Sequence, residues 1–406
     1  MTERALDGLR VVDISQGIAG PYATKLLADA GATVTKVEPP GGDYSRRLGP
    51  FPGDIPDPDQ SGLYLHLNTS KRGITLDVSV TSGQVVLKKL LANAEVFVCG
   101  EKTSTLAAWG LTYDDLKADF PELVVAQVSP FGATGPYADY EGNSLTAMAM
   151  STLMYNTGDP DREPLTTGGE PGAYIAGVQL WIGILAALEN RAKNGGGDHV
   201  DVSMVEAVAA ADEYNAAMYA FQGAIRRRYY SRHIFGYPND IMACADGHIV
   251  VIPGASGFPS PLTPDVASPM ALLFEDVELD KMPLFTQMGE RMVRWREFEA
   301  LIEPFLSTHS AMEIVMTAQA FRLPFAFVPN AENLLSDEHL AERAFFERTP
   351  TPSGVLTIPG QPFKMSETPL QTAPAPKRGE ANVDVLVGEL GYELGDLTIL
   401  SDRGVM

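Results

Sequence analysis

The sequence predicts an α/β fold with a parallel sheet and a second, smaller domain. Three observations carry that expectation. A strand–helix–strand pattern fills residues 9–38, a further apolar, β-branched run follows at residues 123–130, and in residues 164–191 a glycine-rich approach turns into an apolar helix. With 406 residues, 45% of them hydrophobic, the chain can bury a core large enough for two domains.

Residues 9–15 (LRVVDIS) read as a short buried strand, Gly17, Gly20 and Pro21 as a turn, and residues 22–30 as a helix that Gly31 stops. Residues 32–38 (ATVTKVE) form the second strand, and a strand–helix–strand unit favours parallel pairing. The glycine-bearing turn is a place for nucleotide binding, but it lacks the GxGxxG order, so a plain connection is the favoured reading. Residues 39–59, rich in Pro, Gly and Asp, form a long ordered loop able to cross onto a partner. Arg46 and Arg47 read as solvated charges, and Arg72 as part of a buried ion pair with the strand that follows it.

In residues 164–191 (PLTTGGEPGAYIAGVQLWIGILAALENR), Gly168, Gly169, Gly172 and Gly177 permit close backbone approach. A loop running into a helix start offers unpaired N–H groups to an anionic ligand or an oxyanion, so chemistry is expected in this loop. Ile175, Val178, Ile182 and Leu185 then recur at helical spacing and mark a core helix. Residues 194–221 give a glycine turn, a strand and a helix, with His199 as a hydrogen-bonded surface residue. Arg226, Arg227, Arg228 and Arg232 read by default as a solvated linker, or else as contacts to a carboxylated substrate or an acidic partner. Residues 247–254 form a strand and residues 258–269 a Pro/Ser-rich segment. Residues 295–321 supply two amphipathic helices broken near 307–310, with a capping box at Ser310 and Glu313.

A net charge of −22 argues against nucleic acid and anionic membrane as partners, since both bind basic surfaces. Cys99 and Cys244 lie far apart without a metal-ligand spacing, so no metal is expected. The N-terminal MTERALDG shows no apolar signal region and no stretch reads as a transmembrane span, which together suggest a cytoplasmic protein with reduced thiols.

Residues 6–43, 68–77 (NTSKRGITLD), 164–191 and 358–369 (IPGQPFKMSETP), taken together, resemble the family III CoA-transferases. The resemblance runs through nearly the whole chain. It implies a Rossmann-like large domain (residues 1–205), a linker helix (206–228), a smaller α+β domain (229–327) and a return arm completing the large domain (328–406), with two subunits interlocked like links of a chain. It also implies coenzyme A thioester as the substrate of the complex, with no covalently bound cofactor.

Relatives place an acyl-carrying aspartate four residues before a glycine in the central loop; counted back from Gly177, that position is Ala173. Glu170 is the candidate replacement, although a solvent-exposed loop acid is the favoured reading for it. Lys71 and Arg72 fall in the family's CoA-binding region. In a motif resembling ENFRPGVxxRLGL, Gly100 stands for the asparagine, Thr103 and Ser104 for the turn, and Ala108 for an arginine, with Lys102 able to compensate in part. Where racemase members carry a proton-exchanging histidine, this chain has Gly142, Asn143 and Ser144, so acid–base work is unavailable there.

Three functions follow from the resemblance. The preferred one is the non-catalytic subunit of a heteromeric CoA-transferase such as benzylsuccinate CoA-transferase, with a catalytic paralogue as interlocked partner. The lone chain is then expected to be inactive, and to form homodimers when produced alone. The others are a self-sufficient transferase using Glu170 or another carboxylate, and a family-derived binding protein or lyase.

Overall fold

Alternation along each strand decides the central sheet. In β1 (Arg10–Asp13), Val11 enters one core and Val12 the other, and in β4 (Val96–Cys99), Val96 and Val98 share the first core while Phe97 and Cys99 share the second. A strand buried on both faces belongs in a parallel sheet covered by helices, and β1 and β4 are the two central strands of a six-stranded one here. The strand order is β3-β2-β1-β4-β5-β6, with β2 (Thr33–Glu38), β3 (Arg72–Thr75), β5 (Val124–Ser129) and β6 (His199–Ser203) completing it. Every neighbouring pair is parallel, and α1 (Ala19–Asp29) connects β1 to β2. The expected strand–helix–strand unit and parallel sheet are present.

This computed structural model describes residues 4–211, 213–232, 237–252, 267–276, 278–351 and 354–406. The chain divides into two compact units. The first holds the parallel sheet and comprises residues 1–154, 166–224 and 339–406; the second comprises residues 155–165 and 225–338.

The long apolar helix corrects the sequence reading in two respects. It begins at Pro171, so α4 (Pro171–Asn194) already includes Ala173 in its first turn. Its buried stripe is Ala173, Ala176, Gly177, Leu180, Ile184 and Ala187, whereas Ile175, Val178 and Leu185 are half-buried and Ile182 is 48% exposed. The cause is close approach to α1: a Cβ on Gly177 would stand 2.6 Å from the Ala19 carbonyl oxygen. Small residues win that face because bulkier ones cannot fit there. The helix is long and apolar enough to cross a membrane by length and composition, which the sequence reading did not register; in the first unit it packs against α1, β5 and β6.

Within residues 39–59, Gly42, Asp43, Ser45 and Arg46 are buried in the first unit, whereas residues 47–50 and 52–56 are exposed. Arg46 is 2% exposed and grips Glu38 through Nε (2.7 Å) and Nη2 (2.8 Å), lies over the Tyr64 ring at 3.6 Å, and reaches Asp59 at 3.0 Å. The solvated reading of Arg46 is therefore corrected: a buried carboxylate on β2 requires a cation, and Arg46 supplies it. Arg47 is exposed as expected.

The C-terminal segment closes the β3 edge. Ser70 N–H donates to the Ala373 carbonyl (2.9 Å), Arg46 Nη2 to the Pro376 carbonyl (3.2 Å) and Asp77 N–H to the Val405 carbonyl (2.7 Å). His199 is half-buried and stacks on Tyr113 with ring centroids 5.4 Å apart, so it is no simple surface residue.

The second unit carries the antiparallel sheet β7-β8-β9, from β7 (Asp240–Cys244), β8 (Gly247–Val251) and β9 (Ala326–Phe327). Phe285, Phe298, Ile302 and Phe325 are central to its core. The two expected helices occur at Trp295–Leu306 and Ala311–Ala320, and Ser310 and Glu313 form the expected capping box. The basic cluster is not merely solvated: Arg228 donates to the carbonyls of Tyr155, Asp159 and Arg162, and Arg232 lies over Trp295 at 3.7 Å. Residues 258–266 of the Pro/Ser-rich segment lie outside the described residues.

Candidate active site

A cleft of about 490 Å³ opens at the carboxyl edge of the parallel sheet, where open α/β sheets receive their ligands. Ser15 enters it from the turn after β1 and Gly20 from the first turn of α1, which starts at Ala19 and so takes in Gly20 and Pro21, read from sequence as part of the turn; Gly100 and Glu101 enter from the end of β4, and Val128 and Pro130 from the end of β5. The helix α3 (Ser144–Met150) contributes Ser144, and α4 contributes Ala173. Tyr44, Asn143 and Glu170 complete the part of the wall that matters for chemistry.

Beneath the cleft lies a buried network that fixes the turn after β1. Asp13, fully buried, accepts from Ser15 N–H (3.0 Å) and from Thr24 Oγ1 (2.6 Å). Burial opposes its charge, but Lys36, Lys71, Ser15 and Thr24 outweigh burial and hold the carboxyl below its usual range. Asp43 accepts from Gly17 N–H (3.1 Å) and Ser45 N–H (2.8 Å), pinning the same turn to the loop after β2.

Neither of the candidate CoA contacts lines the cleft: Lys71 is buried, whereas the Arg72 side chain is 34% exposed, so its ion pair is not a buried one. Lys71 Nζ donates to the Pro21 carbonyl (2.9 Å), Asn68 Oδ1 (2.9 Å) and Asp13 Oδ2 (3.4 Å), which uses all three of its protons. Burial pushes its ammonium down to about 7, against the opposing pull of Asp13. Arg72 pairs with Glu389 near the C-terminus and donates to Thr35 Oγ1 at 3.0 Å, so its ion pair is not with the strand that follows. Lys102 is likewise committed, to Glu141 and to the Asp139 carbonyl. Ala108 sits on the exposed side of the helix Thr103–Trp109, which presents no cation there.

Ala173 occupies the third position of α4 and is 5% exposed; its N–H donates to Ser144 Oγ (3.2 Å) and to the Glu170 carbonyl (3.1 Å). At this position the cleft wall carries only a methyl group. Glu170 is the exposed N-cap of that helix, and its side chain makes no capping hydrogen bond. Asn143 caps α3, accepting from Thr146 N–H at 3.1 Å.

The sequence reading assigned no role to three wall residues. Ser144 joins α3 to α4, and burial, with Asp43 and Glu170, pushes the Tyr44 hydroxyl above its usual range. Glu101 is the third: its Oε2 accepts from Gly100 N–H at 3.0 Å, and burial drives its carboxyl up to about 7, against two backbone donors and Lys36. The available signal was an acid directly after the apolar run VFVCG, at a strand's carboxyl end.

The strand order and the cleft define a doubly wound α/β protein with its ligand site at the switch between β1 and β4. Residues 6–382 match the family described as CoA-transferase family III, and the chain belongs to that family. It is 31% identical to formyl-CoA:oxalate CoA-transferase of Streptomyces coelicolor, over all of both chains. It is also 31% identical to the BbsE subunit of succinyl-CoA:(R)-benzylsuccinate CoA-transferase of Thauera aromatica, covering 98% of this chain and 97% of that one. The structure of a CAIB/BAIF family protein from Brucella suis superposes with a TM-score of 0.84 at 26% identity, covering 95% of this chain and 99% of that chain.

Proposed function

We propose that this chain is the non-catalytic subunit of a heteromeric CoA-transferase that moves CoA between an acyl-CoA donor, such as succinyl-CoA, and a carboxylic acid. The partner is an aspartate-bearing paralogue, interlocked with this chain in the cytoplasm, and the CoA thioester is substrate with no cofactor held covalently. One observation carries the reading: Ala173, in the first turn of α4 on the cleft wall, has no atom that can attack a thioester. The similarity to BbsE, a protein described as a subunit, supports it. So does the helix Glu213–Gln222, where Tyr219 is 60% and Phe221 is 90% exposed, an apolar surface that a partner would cover.

The alternative, transfer by this chain through Glu170, has weaker support. A nucleophile must be held in place, and the exposed Glu170 side chain has no capping bond to hold it. Co-expression with aspartate-bearing paralogues tests the proposal. A mixed dimer that survives size exclusion and transfers CoA, while this chain alone does not, is the expected result. A partner whose activity is unchanged by this chain, with no mixed dimer, rules the proposal out.

A further inference from the structure

Among the described residues, the cleft wall contains no Lys, Arg or His, and its carboxylates are Glu101 and Glu170. Of these, Glu101 is the one built into the wall. Its backbone carbonyl accepts from the buried Gln127 side chain on β5 at 3.0 Å, and its own Oε2 takes the Gly100 N–H. A backbone donor at the end of a central parallel strand is a natural contact for a ligand's carbonyl oxygen, and here a side chain already uses it. CoA carries negatively charged phosphates, and the thioester bond broken in transfer leaves its sulfur as a thiolate.

We propose that Glu101 is the residue that bars CoA from this chain's own cleft, by occupying the Gly100 donor and by placing a negative charge where a thiolate would form. The inference rests on the reading of the chain as a non-catalytic subunit and adds a cause to it: the cleft has lost a nucleophile at position 173 and has also become hostile to the anionic substrate. The charges around Glu101 do not offset it. Lys36 on β2 is shared with Asp13 and Asp43, Lys102 is held by Glu141, and the remaining titratable neighbours, Cys99, Tyr44 and Glu170, are neutral or acidic. Because burial pushes the Glu101 carboxyl up to about 7, the barrier is present above that pH and relieved below it.

The test is calorimetric titration of the isolated full-length chain with free CoA at pH 8 and pH 6, comparing wild type with Glu101→Gln, Glu101→Ala and Glu170→Gln. Gln keeps an oxygen for the Gly100 N–H and removes only the charge; Ala also frees the donor. At pH 8, Glu101→Gln should bind CoA about tenfold more tightly than wild type and Glu101→Ala at least as tightly, while Glu170→Gln changes affinity less, because its group is solvent-exposed. At pH 6, the gap between wild type and Glu101→Gln should largely close. Comparing the two proteins at each pH cancels the titration of CoA itself. Should Glu101→Gln bind no more tightly than wild type at pH 8, including the case in which neither binds measurably, the proposal is overturned. An equal gap at both pH values overturns it too. Failure of the underlying subunit reading registers separately, as CoA transfer by the unmodified lone chain.

Discussion

Ser144 Oγ accepts the backbone N–H of Ala173 at 3.2 Å, so the first turns of α3 and α4 are tied together at the wall of the cleft. The Ala173 N–H is shared between Ser144 Oγ and the Glu170 carbonyl, so the hydroxyl adds a second acceptor to a first-turn donor. Ser144 is 4% exposed, so the loss of its hydroxyl would not be made good by water. Ser144→Ala should therefore cost about 1 kcal/mol of stability, read as a lowered midpoint in urea with an unchanged slope.

Replacing Ala173 by aspartate should place a carboxylate at the third position of a 24-residue helix, a site that favours negative charge. The expected outcome is acyl-enzyme formation with succinyl-CoA, detectable by intact mass and removed by hydroxylamine. The yield should be greater in the Ala173→Asp, Glu101→Gln double variant than in Ala173→Asp alone. A folded double variant that forms no adduct would show that the cleft lacks more than a nucleophile at position 173 and relief from the Glu101 charge.

Gly177 faces the Ala19 carbonyl so closely that an added Cβ would stand 2.6 Å from it. Gly177→Ala must push α4 away from α1, and overpacking of this kind costs about 1–3 kcal/mol. Thermal unfolding measures the cost. Gly168→Ala, in a loop position with no atom near its would-be Cβ, is the control and should change stability little.

Acid and alkaline pH should act on opposite sets of carboxyls. Asp13 and Glu38 are held below their usual values of 3.8 and 4.5: burial opposes their charge, but it is outweighed for Asp13 chiefly by Lys36 and Lys71, and for Glu38 chiefly by Arg46. Their contribution is present above those usual values and is lost as pH falls through the lower, folded ones. Glu101 has the reverse sign. Its folded value of about 7 lies above the usual 4.5, so its contribution is full below 4.5 and is lost as pH rises through 7. Glu101→Gln should accordingly raise the melting temperature relative to wild type more at pH 8 than at pH 5, and an equal difference at both would contradict the burial of that charge.

What the sequence made legible follows from periodicity. The strand–helix–strand unit at residues 9–38 was readable because its apolar runs are short, β-branched and separated by glycine turns, and local pattern alone specifies such a unit. The burial of Arg46 was not readable. Its partners, Glu38, Asp59 and the Pro376 carbonyl, come from three separate stretches, and only the fold brings them together. The buried stripe of α4 was misread because hydrophobicity ranks isoleucine above alanine, while close helix packing selects for small size. Ala173 was singled out by the family resemblance, counted back from Gly177, and the structure sets it on the cleft wall. Glu101 has a local signal, an acid directly after the apolar run VFVCG, but that signal gives its place at a strand end and not the inward turn of its side chain.

The return of the C-terminal segment to the β3 edge has a consequence for how the protein is made. The contacts of Ser70 with Ala373 and of Asp77 with Val405 join parts of the chain about 300 residues apart, so the loops flanking the edge strand have no partner until the segment from Ala373 to Val405 has been made. At roughly 5–20 residues per second, the nascent first unit must wait tens of seconds on the ribosome with that border open, while both segments of the second unit, residues 155–165 and 225–338, have already emerged. A premature stop even a few residues short of Val405 would therefore damage the part of the protein synthesised first.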